Sequence, residues 1–146
     1  MIFNNYFLLL SVLFVLSSHL FLGTALAQSE GDGGDVCAFK HVKEFDTEGN
    51  LIKAWGTRGT GNGQFLHLHD ISVDSAGNLY TTDEERHLVQ KFDSEGNFIT
   101  SWGSEGEGAG GFSSKIEDIA VDAEDDVYVV DYGNNRIQKF SNDGKF

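Results

Sequence analysis

Residues 92–140 read FDSEGNFITSWGSEGEGAGGFSSKIEDIAVDAEDDVYVVDYGNNRIQKF, and they repeat residues 45–92 almost motif by motif. The offset between the two copies grows from 47 to 48 residues between Phe112 and Asp118. A fixed period of this size is typical of repeat architectures, in which one unit buries its apolar surface against the next copy. The repeat therefore decides how the rest of the chain is interpreted.

Each copy contains short apolar runs separated by turns rich in Gly, Asn and Asp, which adopt hairpin conformations at low cost. Residues 127–130 form an unbroken apolar run, so both faces of their strand are apolar, because successive side chains point to opposite faces. A sheet of this kind must be covered on both sides. The pattern predicts an all-β fold, a partial β-propeller of four-stranded antiparallel blades. A sandwich fits the strand spacing, but its strands do not repeat in fours.

Several residues recur once per copy, and we assign them structural roles. The two tryptophans are large enough to dominate the contact between neighbouring sheets. The two aspartates end a strand and open a loop, where they can accept backbone N–H bonds. The recurring residues are Trp55 and Trp102, Asp83 and Asp131, and Phe92 and Phe140.

Composition excludes some functions. The 146 residues include 10 basic and 23 acidic side chains, a net charge of −13, which repels phosphate backbones and argues against nucleic-acid binding. The single cysteine, Cys37, excludes an internal disulfide. We interpret it as a small residue near the first strand, and an intermolecular disulfide is the alternative in an oxidising compartment.

Residues 1–27 have the apolar run and the Ala25-Leu26-Ala27 end of a secretory signal peptide, although no Lys or Arg precedes the run. An uncleaved membrane anchor is the rival interpretation, because the run nearly reaches the ~20 residues of a spanning helix. Residues 28–36 form a flexible, acidic, Gly-rich linker. The prediction is a signal helix followed by a secreted or extracytoplasmic domain with no other membrane contact.

Four motifs of the last repeat are Gly111-Phe112, Ile119-Ala120-Val121-Asp122, Val127-Tyr128-Val129-Val130-Asp131 and Asn134-Asn135-Arg136-Ile137-Gln138-Lys139-Phe140. Together they resemble NHL repeats, the blades of a family of six-bladed β-propellers. The resemblance covers nearly all of residues 41–146 and implies a partial blade at 37–56, a full blade at 65–103 and an incomplete blade at 112–146. Two departures are visible: His69 and Glu117 replace a proline, and Leu88 replaces the arginine seen as Arg136.

These blades are fewer than the six that the resemblance implies for a closed ring. Three explanations stay open: the sequence is a fragment of a longer chain, several copies associate through their open blade faces, or the chain folds against a partner. We favour the fragment. Open apolar blade faces would forfeit several kcal/mol at ~25 cal/mol per Å².

Metal binding is the first chemical question. His67 and His69 lie two residues apart in an extended segment, and with His87 they are weak candidates for a zinc site. The resemblance adds that some propeller lyases acting on peptidyl-hydroxyglycine use metal-bound histidines. The second copy has Lys115 and Glu117 instead of His67 and His69, so we predict a polar loop and no metal or cofactor. Residues 122–126 carry four carboxylates and suggest calcium, but a solvated acidic turn fits better.

The resemblance implies a module that binds a protein or small-molecule ligand, or acts as a scaffold, through loops on one rim. Rim loops are expected at residues 84–87, 132–135 and 103–111. The alternative is a metal-dependent propeller enzyme, either a lyase of the peptidyl-hydroxyglycine type or a lactonase-like hydrolase. No nucleophile motif is present, so no catalytic residue is assigned. The candidate ligand-binding residues are Glu84, Glu85, His87, Tyr132, Asn134 and Asn135.

Overall fold

The structure, a computed structural model, describes residues 24–28 and 41–146. Most of the predicted signal helix and linker, and Cys37, lie outside the described residues. Within the described ranges the fold is all-β apart from one 3-10 turn, Tyr132–Asn134. No helix in those ranges is long and apolar enough to cross a membrane.

Three antiparallel sheets follow one another along the chain, and we number them blades 1 to 3. Blade 2 has all four strands, in the order in which they occur in the sequence. Blade 1 comprises β1 (Thr24–Gln28), β2 (His41–Phe45) and β3 (Leu51–Trp55); blade 2 comprises β6 (Leu68–Val73), β7 (Leu79–Asp83), β8 (Leu88–Phe92) and β9 (Phe98–Trp102); blade 3 comprises β10 (Ile116–Val121), β11 (Val127–Asp131) and β12 (Arg136–Phe140). The predicted propeller blades are confirmed.

Two-residue strands join blades 1 and 2 at the glycine-rich loop: β4 (Thr57–Arg58) pairs in parallel with β5 (Gln64–Phe65). The equivalent loop before blade 3 has a single parallel bridge between Glu105 and Phe112. Both loops therefore close with a parallel pairing. Each ends in a phenylalanine that lies in the core, since Phe65 and Phe112 are fully buried.

Blade 1 has one more strand than the sequence led us to expect. β1 pairs with β2 in antiparallel register, with Gln28 opposite His41. It takes the position that β7 holds in blade 2, beside the strand equivalent to β8. β1 spans the end of the predicted signal peptide and the first residue of the predicted linker.

Two apolar clusters separate the blades. The cluster between blades 1 and 2 contains Val42, Phe65, Leu68, Ile71, Leu79 and Phe92, with Trp55 packed against it. The cluster between blades 2 and 3 contains Tyr80, Val89, Phe112, Ile116, Ile119, Val127, Val129 and Phe140, with Trp102 packed against it. Blade 2 thus buries alternate side chains on opposite sides, as two apolar faces require. We call the side of each blade that meets the preceding blade its front face, and the side that meets the next blade its back face.

Each tryptophan lies on a glycine turn of the following blade. A Cβ on Gly96 would come within 2.9 Å of the Trp55 ring, and a Cβ on Gly144 within 2.6 Å of the Trp102 ring. Both glycines have positive φ, near 83° and 84°. Close approach and left-handed backbone therefore both require glycine at these turns. Each tryptophan therefore contacts the neighbouring blade by packing on one of these glycine turns.

Polar links also join blades 2 and 3. The buried Asp70 carboxylate accepts a hydrogen bond from the Ile119 N–H at 2.8 Å. Thr82 Oγ1 donates to the Glu117 carbonyl at 3.1 Å. The two β10 groups in these bonds are the Glu117 carbonyl and the Ile119 N–H. Both lie where the register between β10 and β11 shifts, between Ile116 and Ile119. Blade 2 therefore satisfies backbone groups that the irregular strand leaves unpaired within its own sheet.

Candidate functional site

The loops predicted to form a rim meet at one edge of blades 2 and 3. His87 Nδ1 lies 2.8 Å from the Ser113 carbonyl oxygen, and the Gly133 N–H donates to the Lys115 carbonyl at 3.3 Å. Loops 84–87 and 132–135 therefore both contact segment 113–115, which lies between them. Asn134 Nδ2 adds a 3.0 Å hydrogen bond to the Gly106 carbonyl, so loop 103–111 belongs to the same edge.

Buried aspartates hold these loops in place. Asp83 and Asp131 are both fully buried. Asp83 accepts hydrogen bonds from the N–H groups of Leu66 and His67 at 2.9 and 3.0 Å. Asp131 accepts from the Ser113 N–H and from Arg136 Nε, each at 2.9 Å. Backbone groups of the incoming segment are thus tied to the end of β7 or β11.

The surroundings of Asp131 determine its ionisation. Burial alone would raise its pKa, but hydrogen bonds from Ser113, Asn134 and Arg136 outweigh burial and hold the pKa below the ordinary value of 3.8. Asp70 has the opposite behaviour: burial raises its pKa, and nearby Asp118 adds to the effect. The pKa values of these two carboxyl groups are therefore shifted in opposite directions.

The six candidate ligand-binding residues divide into two groups. Three are engaged within the chain: Glu84 Oε2 pairs with His67 Nδ1 at 2.9 Å, and His87 and Asn134 make the contacts described above. Three others, Glu85, Tyr132 and Asn135, are exposed, with Tyr132 at 55%. The Lys115 ammonium lies 5.7 Å from the centre of the Tyr132 ring. Exposed groups therefore stand on loops that other side chains position.

Two arginines that sequence reasoning did not place in the site organise the glycine-rich loops. Arg86 donates to the carbonyls of Thr60, Gly61 and Gln64. Arg136 donates to the carbonyls of Glu107, Gly108 and Gly111, which lie 47 residues further along. Arg86 thus does in blade 2 what Arg136 does in blade 3, although it precedes Leu88 by two residues. Leu88 does replace the arginine at this strand position, but the Arg86 guanidinium reaches the equivalent carbonyls from the neighbouring loop.

The three histidines considered for zinc have other partners. His67 pairs with Glu84, and His87 contacts Ser113. The rings of His67 and His69 lie 6.0 Å apart, centre to centre. Among the described residues, no group of three His, Cys, Asp or Glu side chains is arranged to hold a metal ion.

The acidic segment 122–126 closes a turn at the opposite edge of blade 3. Asp122 Oδ1 accepts hydrogen bonds from the N–H groups of Glu124 and Asp126 at 3.1 and 2.9 Å. Asp126 pairs with Lys139 at 2.7 Å, and Asp125 accepts from the Ser75 N–H of blade 2 at 2.9 Å. These carboxylates therefore bind groups of the protein itself.

Comparison with protein families places residues 65–92 and 114–140 on the model of the NHL repeat. Both stretches are NHL repeats. They cover strands β6 to β8 of blade 2 and β10 to β12 of blade 3, with the loops that carry Asp83, Asp131 and the candidate rim residues. The resemblance inferred from the sequence is confirmed.

Solved structures with the same fold are propeller proteins. A streptogramin B lyase has a TM-score of 0.54 and 14% identity over 73% of this chain. A protein of unknown function from Bacteroides thetaiotaomicron has a TM-score of 0.56 and 16% identity over 68% of this chain. The chain spans about a third of these proteins, 32% and 29% of their lengths. At such identities the likeness shows the fold alone. No curated protein matches the chain in sequence.

Proposed function

We propose that this chain is an exported NHL-repeat binding module that contacts a protein or small-molecule ligand through its rim loops. Export is proposed from the signal-like character of residues 1–27. One observation carries the binding proposal: buried Asp83 and Asp131 fix two neighbouring loops, while the side chains at the loop tips stay exposed. Binding surfaces are commonly loops of this kind on a rigid scaffold.

The surface on this rim combines an aromatic ring with carboxylate and amide groups. Tyr132 offers contact area and a hydroxyl, Glu85 offers a carboxylate, and Asn135 offers both donors and acceptors. Aromatic residues are enriched among those that dominate binding energy. We therefore propose Tyr132 as the central contact residue, with Glu85 and Asn135 beside it.

The test uses binders selected without knowledge of the natural ligand. A random peptide library is selected on the full-length protein, and each binder is then measured on the variant Glu85→Ala/Tyr132→Ala. We expect binders to lose about tenfold or more in affinity, as for removal of a central aromatic. Glu95→Ala/Ile99→Ala is the matched control, because both residues are exposed on blade 2 outside the rim loops. Equal binding to all three proteins would contradict the rim as the binding surface.

The alternative, a metal-dependent propeller lyase or lactonase-like hydrolase, is separated by metal analysis. A stoichiometric metal in the purified protein that disappears in His67→Ala would favour the enzyme. A protein that binds selected peptides through the rim and retains no metal would favour the binding module.

A further inference from the structure

The back face of blade 3 copies a surface whose partner is already known. In blade 2, the back-face residues are buried against blade 3; they are Asp70, Tyr80, Thr82, Val89 and Lys91. Blade 3 carries equivalents in the same register, namely Asp118, Tyr128, Val130, Ile137 and Lys139. Val89 is 0% exposed, whereas its equivalent Ile137 is 66% exposed. The same surface is therefore covered on blade 2 and open on blade 3 among the described residues.

The interactions of the covered surface define what it binds. Lys91 Nζ donates to the Asn142 carbonyl, at 2.9 Å, in a turn of the following blade. In blade 1 a lysine of a different strand, Lys53 of β3, donates to the equivalent turn carbonyl, that of Ser94 in blade 2. Lys139, which is the blade 3 equivalent of Lys91, instead pairs with Asp126 of its own blade. The surface thus fits the front of an NHL blade, with a turn carbonyl opposite the lysine.

The front of blade 1 has the complementary features, and within residues 24–28 and 41–146 it is also open. Thr47 occupies the turn position of Ser94 and Asn142. A Cβ on Gly49 would meet no described atom within 4 Å, whereas the equivalent glycines of blades 2 and 3 lie under a tryptophan. Leu51, equivalent to the half-buried Phe98 of blade 2, is 55% exposed. This face therefore has the features of a blade front, and no blade of the described residues covers it.

We propose that the back face of blade 3 docks on the front face of blade 1 of a second copy of this chain. In this contact Ile137 packs near Phe45 and Leu51, and Lys139 leaves Asp126 to bind the Thr47 carbonyl. The two faces complement each other, and neither complements itself, so the contact is head-to-tail. Such contacts produce closed rings when the rotation between copies allows it.

The first experiment measures the mass of the 146-residue chain by light scattering after size-exclusion chromatography, over a hundredfold range of concentration. The proposal expects a defined species of two or more times the 16.0 kDa chain mass at the higher concentrations. Ile137→Asp and Leu51→Asp each place a carboxylate in the contact, and each should weaken association on the order of a hundredfold. Ile99→Asp is the matched control: the residue is 48% exposed on the outer strand of blade 2, and its variant should associate like the parent.

Mixing the two disrupted variants tests the direction of the contact. Ile137→Asp retains an intact blade 1 front, and Leu51→Asp retains an intact blade 3 back. A head-to-tail contact therefore predicts that the mixture forms a species of two chains, although neither variant associates alone. Circular dichroism is the control that checks whether both variants keep the fold.

Three outcomes would overturn the proposal. A one-chain mass at every concentration would exclude docking between copies. Association that survives both single variants would place the contact elsewhere. Association that is lost in only one of the two variants, as expected if like faces meet like, or that is lost in both and not restored by mixing, would contradict the head-to-tail arrangement.

Discussion

Arg86 and Arg136 show that one function in a repeat can move between positions. Both guanidinium groups bind three carbonyls of a glycine-rich loop, and the two sets of carbonyls are equivalent. The side chains start from different points: Arg136 begins β12, whereas Arg86 lies in the loop before β8. Arginine suits this role because it presents several fixed donors on a long side chain.

We predict that Arg86→Ala destabilises the chain by about 1–3 kcal/mol, since three carbonyls lose a charged donor. Adding Leu88→Arg to that variant should recover part of the loss, because Arg136 reaches the equivalent carbonyls from the equivalent position. Urea unfolding measures both effects. Arg58→Ala, an exposed position nearby, is the control and should change stability by less than about 0.5 kcal/mol. No recovery in the double variant would contradict the equivalence of the two arginines.

A second exchange of residues occurs between the repeats. His67 Nδ1 and Glu84 Oε2 lie 2.9 Å apart in blade 2, and the equivalent positions of blade 3 hold Lys115 and Tyr132 in a cation–π contact. Both members of the pair are replaced in blade 3, but the contact between the segment before the first strand of the blade and the loop after its second strand is kept. A ligand that binds the rim therefore meets different chemistry on each blade.

Asp70 and Asp131 should give pH dependences of opposite sign. The pKa of Asp70 is raised above 3.8 by burial, so its contribution to stability is greatest below that pH and falls as the pH rises through the raised pKa. Asp70→Asn keeps an acceptor for the Ile119 N–H. The stability of this variant relative to the parent should therefore increase between pH 4 and 7.

The pKa of Asp131 is held below 3.8, so this carboxylate stabilises the fold above that pH and loses its effect as the pH falls through its folded pKa. Asp131→Asn should cost about 1–3 kcal/mol at pH 7, and the cost should shrink below pH 3.8. Urea unfolding of the parent and both variants from pH 2.5 to 7 checks the two signs. Parallel curves for both variants would contradict the assignment.

The sequence was informative at this scale where a residue recurs in register. Asp83 and Asp131 could be picked out because each ends a strand in its repeat. Arg86 could not, because its partners are backbone carbonyls some 25 residues away, and carbonyls carry no sequence signal. The exposure of Glu85, Tyr132 and Asn135 likewise depends on how the loops fold over segment 113–115.

At the level of strands and turns, the glycine turns offer an internal comparison. Gly49, Gly96 and Gly144 have φ near 84° and occupy equivalent turns. Gly96 and Gly144 lie under a tryptophan of the preceding blade, whereas Gly49 has open space around its Cβ position among the described residues. A residue with a Cβ would therefore be strained at all three positions, and it would overlap a tryptophan ring at only two of them.

This comparison leads to a prediction for three alanine variants. Gly49→Ala should cost about 1 kcal/mol, the strain of a left-handed backbone alone. Gly96→Ala and Gly144→Ala should each cost a further 1–3 kcal/mol or so, because the methyl group forces the indole ring to shift. Thermal and urea unfolding measure the series. Equal costs for all three would mean that the tryptophans yield without loss of packing.

Strands and hairpins were largely predictable from the alternation of apolar runs and Gly/Asn turns. The nine strands of blades 1 to 3 expected after residue 41 are all present, from β2 to β12 with the two short strands of the glycine loop aside. β1 was not expected, because residues 24–28 also satisfy the composition of a signal-peptide end. One short apolar segment fits both patterns, and only pairing with β2 distinguishes a strand.

For the molecule as a whole, blade 2 is shared by two cores. Leu79 and Phe92 pack towards blade 1, and Tyr80 and Val89 pack towards blade 3. Loss of either neighbour would expose one complete apolar side of blade 2. The described blades should therefore unfold together, as small two-state domains do.

Two single-tryptophan proteins can test this coupling. Trp55→Phe leaves Trp102 to report on the contact between blades 2 and 3, and Trp102→Phe leaves Trp55 to report on the contact between blades 1 and 2. Adding Val129→Ala should destabilise by about 1–3 kcal/mol, since Val129 is fully buried. We expect an equal shift of the urea midpoint at both reporters. A shift at Trp102 alone would show that the blades unfold separately.

The indole of one repeat lies on the glycine of the next, and this contact has a consequence for how such chains change in evolution. Duplication of one repeat supplies one new indole and one new glycine turn to receive it, and deletion removes one of each. The remaining halves still match. Repeat number can therefore vary by unequal exchange without redesign of any junction.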